Sequence, residues 1–313
     1  MDTSETKAKI KRILHRAARS VAISCAIMLS FFAATHAAVR VSTPYTIEPG
    51  GFYIIDVVVN DRHSLKFIVD TAAQKTSLFP MAAKALELQP VPGGTTFVQG
   101  VNGSIKAEFV LVDSIEVAGE RMLQFSAAVT PELVNFDNIG GILGLDFLAR
   151  YAIEFDPASG MFSLHKQSAN LESIKNSGSV LPLQKLRTGF LSVQAKINGI
   201  NILALLDTGA RRNVVNWRTA RRLGIGWSDQ RLQKDESIIG ATGKKSKAVK
   251  KFRADEIVVG DQLWTDQSVS VVDLRVFRAL NVENQPTAVF GARVFESRHF
   301  LVDFGNLELV FFE

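Results

Sequence analysis

Ala204-Leu205-Leu206-Asp207-Thr208-Gly209-Ala210 decides the fold, because it has an earlier counterpart in Phe67-Ile68-Val69-Asp70-Thr71-Ala72-Ala73. With Asp70 placed over Asp207 and no gap, Leu78 meets Val215, Ala83 meets Ala220, Leu86 meets Leu223 and Leu88 meets Ile225. A chain that repeats itself in this way is read as a duplication before anything else is read from it.

Working outward, each copy predicts the same elements. Phe52 to Asn60 is β-branched and aromatic, and Leu65 to Val69 returns after a turn at Asp61-Arg62-His63. In the second copy Phe190 to Ile197 and Ile200 to Leu206 flank Asn198-Gly199, a strong hairpin signal. A short strand and a helix follow each Asp-Thr loop. The first helix is expected to begin near Pro80 and the second to be capped by Asn216. Each copy then carries a glycine-bearing tip, Gly100–Gly103 and Gly240–Gly243. Each ends with two apolar residues and a glycine, Ile142-Leu143-Gly144 and Val289-Phe290-Gly291, before a terminal hairpin. The expected fold class is all-β, with two homologous lobes related by pseudo-twofold symmetry, each with one short helix. The expected divisions are 38–166 for the first lobe, 167–179 for a polar linker and 180–313 for the second lobe.

Of the 36 Lys and Arg and 31 Asp and Glu, six basic and two acidic residues fall within the first 37 positions. The remainder is close to neutral, which gives no general argument for nucleic-acid binding. The basic start, the apolar run from Val21 to Ala34 and the small residues before Ala38 form the pattern of a signal peptide over 1–37. The run is short for a membrane span of ~20 residues. Export to the periplasm or outside is therefore expected, with no span left after cleavage; an uncleaved membrane anchor is the alternative. Cys25, in that leader, is the only cysteine, so the mature chain is expected to have no disulfide, thiol nucleophile or cysteine metal site.

Asp70 and Asp207 occupy equivalent places in the two copies, so symmetry can bring their carboxyls together. Two adjacent acids cannot both ionise easily, so the pair holds one proton. The ionised acid can then activate a water while the protonated one donates to a carbonyl, which suffices to hydrolyse an amide without a metal or cofactor. Thr71 and Thr208 can bond across the axis, and the small Ala72 and Gly209 let backbone N–H groups approach the carboxylates.

These residues together resemble the aspartic proteases of the retroviral–pepsin group, in particular bacterial retropepsin-like proteins with two fused lobes. Leu205 to Ala210 is similar to the retroviral motif, the two apolar-apolar-Gly runs to its second motif, and Ile238 to Gly243 to its flap. The resemblance implies a catalytic dyad of Asp70 and Asp207, an inter-loop grip by Thr71 and Thr208, and flaps around Gly100, Gly103, Gly240 and Gly243. It implies a peptide or protein substrate and a catalytic monomer. One departure stands out: Ala72 occupies a position where glycine is usual. If that position needs a left-handed backbone, the loop is strained by about 1–2 kcal/mol, and the chain becomes a weak or inactive peptide binder.

Other chemistries find less support. Gly240-Ala241-Thr242-Gly243-Lys244-Lys245-Ser246 has the wrong spacing for a phosphate loop. His63, His165 and His299 lack metal-ligand spacing and read as surface or satisfied histidines. The basic run from Lys244 to Arg253 reads as a solvated hairpin that, if functional, favours acidic substrates or anionic envelope surfaces. A two-carboxylate glycosidase would hold its acids about 5 Å or more apart, with no proton shared across a contact distance.

Overall fold

The computed structural model describes residues 40–48, 51–132, 138–167 and 170–313. The expected signal peptide and Cys25 lie outside the described residues. Arg40–Glu313 form one compact unit.

In the first copy Tyr53–Val59 pairs antiparallel with His63–Val69, and in the second Leu191–Ile197 pairs with Ile200–Leu206. Asn198 and Gly199 take φ of 44° and 76°, as a two-residue hairpin turn requires. The first turn is centred one residue earlier than expected. Asn60 and Asp61 take positive φ, and His63 already pairs with Val59. The Asn60 Oδ1 fixes that turn by accepting from the Asp113 and Ser114 amides.

Each returning strand gains a parallel neighbour: Ile139–Leu143 beside the first and Thr287–Phe290 beside the second. Both neighbours are wholly buried, as the apolar run in each second motif demands. The helices Pro80–Ala85 and Trp217–Arg222 occupy equivalent positions. Proline stands in the first turn of one, and the Asn216 side chain caps the other by accepting from the Thr219 amide. Further short helices, Leu145–Leu148, Arg275–Ala279 and Ala292–Phe295, accompany them.

Among the described residues the strands form two sheets, one of thirteen and one of eight. Part of the larger sheet is shared by the two copies. Its order is Gly178–Pro182, Glu308–Phe312, Phe300–Asp303, Tyr151–Asp156, Met161–Lys166 and Arg40–Ile47. Each copy contributes its terminal hairpin, and the seam is the antiparallel pairing of Phe300–Asp303 with Tyr151–Asp156. Phe155 of one copy stacks on Phe300 of the other at 5.0 Å between centroids. Both are buried, and each contributes roughly 2 kcal/mol of apolar burial.

Two buried polar clusters cross the same sheet. Glu154 accepts His165 Nε2 on one oxygen and His299 Nε2 on the other, each at 2.7 Å, with Arg40 at 3.6 Å. Burial works to raise the Glu154 pKa, but the histidine hydrogen bonds and Arg40 outweigh it and hold the group below the usual glutamate range. The polar segment 167–179 carries a helical turn, Glu172–Lys175, and enters a strand at Gly178. Its Lys175 reaches the buried Asp303 at 2.6 Å and also contacts Glu308.

Candidate active site

The site is built on the two parallel strand pairs. As each leading strand ends, the Asp amide bonds back to the neighbour: Asp70 N to Leu143 O and Asp207 N to Phe290 O, both at 3.1 Å. The chain then turns, and the turn is tied down again by Leu145 N to Ala73 O and Ala292 N to Ala210 O. Gly144 and Gly291 sit where these loops pass. A methyl on Gly144 would fall 2.6 Å from the Lys75 carbonyl carbon, and one on Gly291 would fall 2.5 Å from Ala210 O. The second motif therefore ends in glycine because the Asp loop lies against it.

The two loops meet across the seam. Thr71 N donates to Thr208 Oγ1 and Thr208 N donates to Thr71 Oγ1, both at 3.1 Å. Each hydroxyl donates onward to the opposite strand, Thr71 Oγ1 to Leu206 O at 3.0 Å and Thr208 Oγ1 to Val69 O at 2.7 Å. The same 137-residue offset that aligns the motifs relates these partners. Both threonines are buried, so every polar atom in the exchange has a partner where none could come from water.

Asp70 and Asp207 are brought together and almost enclosed, at 8% and 5% exposure. Burial pushes the Asp70 carboxyl up to about 6, against the pull of the Ala72 and Ala73 amides. The Ala72 amide bonds Asp70 Oδ1 at 2.7 Å. Asp207 is pushed well above the usual carboxylate range, first by burial and then by the charge of Asp70; the Gly209 and Ala210 amides oppose this. Two buried acids coupled in this way titrate as a pair.

Ala72 does not strain its loop. Neither Ala72 nor Gly209 has a positive φ, so the position does not require glycine for its backbone. The pair is nonetheless asymmetric. A methyl on Gly209 would lie 2.2 Å from both Cγ and Oδ2 of Asp70. The carboxyl of the first copy rests on the bare backbone of the second.

The glycine tips also come together, with unequal shapes. Gly100 and Gly103 close a hairpin between Pro90–Gly100 and Gly103–Val117 that runs in continuous register from Thr95 to the tip. Gly240 and Gly243 form a tight turn flanked only by the bridge of Ile239 with Lys245. The first tip braces the second: the Asn102 Nδ2 donates to Ile238 O at 2.7 Å and to Lys244 O at 3.2 Å, carbonyls that also accept the Ser246 and Gly240 amides across the second turn. Thr242 Oγ1 donates back to Gly103 O at 3.2 Å. Asn102 and Thr242 are both buried.

Sequence reasoning missed two residues that position the loops. Thr76 Oγ1 accepts the Gly144 amide and Asn213 Oδ1 accepts the Gly291 amide, each at 3.2 Å. They are equivalent in place but unlike in type, so matching one copy to the other passes over them. The basic run beyond Lys244 is largely engaged locally: Lys250 with Trp227, Lys251 with Asp235, and Arg253 with Asp266.

A profile of the aspartyl protease family matches residues 55–147 and again 193–294, once per copy, and the chain belongs to that family. Among solved structures it is similar to conglutin gamma, a basic 7S globulin from lupine seeds. The identity is 10% and the TM-score 0.50, over 88% of this chain and 95% of that one. It is also similar to basic 7S globulin from soybean, at 12% identity and a TM-score of 0.49, over 88% and 94%. The lupine likeness bears on the fold alone. No curated protein matches the chain.

Proposed function

We propose that the protein is an aspartic endopeptidase that hydrolyses peptide bonds with a water activated between Asp70 and Asp207. The observation that carries this reading is the pair itself: two buried carboxyls, each raised, on loops locked by the reciprocal threonine bonds. The pair keeps one proton. Its ionised member takes a proton from water as the oxygen attacks the scissile carbonyl, and its protonated member donates to the carbonyl oxygen. Collapse of the tetrahedral diol returns a proton to the departing amine. No metal, cofactor or covalent intermediate is needed.

One chain supplies both acids, so a monomer is proposed to be catalytic. Its substrate is an extended peptide or unfolded protein segment beneath the tips at Asn102 and Thr242. The leader composition supports action outside the cytoplasm. No helix among the described residues is long and apolar enough to cross a membrane.

The test is digestion of a diverse peptide pool from acid to neutral pH by wild type, D70N and D207N. The proposal expects internal cleavage by wild type and a loss of about a thousandfold or more in each variant, with the fold retained. Folded wild-type protein that binds peptides and cuts none would overturn it.

A further inference from the structure

Each catalytic loop runs directly into a cavity, and the two cavities differ in charge. Beyond Asp207, Arg211 and Arg212 open a cavity of about 540 Å³. Beyond Asp70, the equivalent Gln74 and Lys75 open one of about 380 Å³. Both touch the opposite lobe: the Arg211 guanidinium lies 5.9 Å from the Phe52 ring centroid, and Gln74 Nε2 donates to Thr188 O at 2.8 Å. The loop residues at their mouths are equivalent, but the cavity beyond Asp70 is walled by both lobes and the one beyond Asp207 by the second lobe alone.

The cavity beyond Asp70 has an apolar floor including Leu145, Leu191 and Phe304. The other is walled by five cationic side chains, Arg211, Arg212, Lys234, Lys251 and Arg293, against Asp235 and Glu236. Asp235 is already committed, to Arg212 at 3.0 Å, to Lys251 at 3.8 Å and to the Ser270 hydroxyl at 2.6 Å. Arg212 is fixed further by the carbonyls of Glu236 and Ser237. Among the described residues no ion pair engages Lys234 or Arg293. The cavity is preorganised with an excess of positive charge, and its size suits one or two side chains of a bound peptide.

We propose that the cavity beyond Asp207 takes an aspartate or glutamate side chain of the substrate, so that the protein selects peptides acidic on one side of the scissile bond. This rests on the endopeptidase reading and specifies its substrate class. Lys234 and Arg293 supply the unspent charge, while Arg212 and Lys251, held by Asp235, set the wall. An apolar residue fits the opposite cavity.

The test uses N-acetylated, C-amidated peptides, so that chain termini carry no charge, with Glu or Gln at successive positions around one cleaved bond. The Glu peptide is expected to exceed its Gln twin in kcat/KM by about fivefold or more at one subsite, with the advantage shrinking as salt rises. R293E and K234E should each bring that ratio to one or below, while K196E, an equal charge change on the strand Leu191–Ile197, should leave the ratio as in wild type. Equal cleavage of the twins, or a preference that survives R293E and K234E together, overturns the inference and leaves the endopeptidase reading standing. If wild type cuts none of the set, fluorescence anisotropy of the same peptides decides. Tighter binding of Glu peptides that R293E abolishes supports the cavity assignment, and equal binding overturns it.

Discussion

At the scale of residues, Asp70 rests against the backbone of Gly209, which gives the asymmetry of the two motifs a physical meaning. A methyl at position 209 would displace the carboxyl, whereas position 72 carries a methyl at an ordinary φ. G209A is therefore expected to reduce kcat/KM for peptide cleavage by about a hundredfold or more, the scale on which a misplaced catalytic group is felt. A72G should change it little and cost less than about 1 kcal/mol in stability, measured by urea unfolding. In the grip, T208A removes a hydroxyl and leaves the buried Thr71 amide and Val69 carbonyl without their partner. A loss of about 1–3 kcal/mol in the same unfolding experiment is expected. The Asp-Thr pair was legible in the sequence because both copies spell it. Thr76 and Asn213 were not, because a hydroxyl and an amide perform one task there without resembling one another. The Ala72 question needed a backbone angle, which a residue name does not supply.

At the scale of elements, the tips at Gly100–Gly103 and Gly240–Gly243 hold one another through Asn102 and Thr242. Under the proposed function, a peptide entering beneath them requires that junction to open. N102A removes two of its hydrogen bonds, so backbone amides of residues 100–103 should exchange with deuterium several-fold faster while those of Ile139–Leu143 remain protected. Unchanged exchange at the tip would mean that contacts other than Asn102 hold it. The strands, the proline-started helix and the Asn216 cap were readable because period, turn residues and caps are local signals. The clasp between the tips was not, because it joins the Asn102 side chain to carbonyls 136 and 142 positions away. The same holds for segment 167–179, where polarity and lack of period read as a plain linker. Its Lys175 is instead drawn under the shared sheet by Asp303 and Glu308. K175A would leave Asp303 buried without its counter-ion, and a loss of about 3 kcal/mol is expected.

At the scale of the whole molecule, the shared six-strand sheet holds the copies in register so that the two acids meet. Its charges and the dyad respond oppositely to pH. Glu154 has a folded pKa below its ordinary 4.5. Its contribution is complete above the unfolded value and lost as pH falls through the folded one. E154Q should therefore flatten the loss of stability on acidification, followed by melting temperature from pH 3 to 6. The dyad pKa values are raised, so its acids favour the fold fully below about pH 4 and cost stability as pH rises through the folded values. D70N or D207N should accordingly melt a few degrees higher than wild type at pH 7 to 8. The two histidines beside Glu154 carried no metal spacing in the sequence, and their pairing on one glutamate is a product of the seam alone. The proposed chemistry requires Asp70 and Asp207 to share one proton. Carboxyl carbon NMR of aspartate-labelled protein, assigned with D70N and D207N, measures it directly. The account predicts two coupled steps, with the later one well above the ordinary aspartate value and lowered when either partner is replaced. Two independent titrations near pH 4, each indifferent to the other residue, would contradict it.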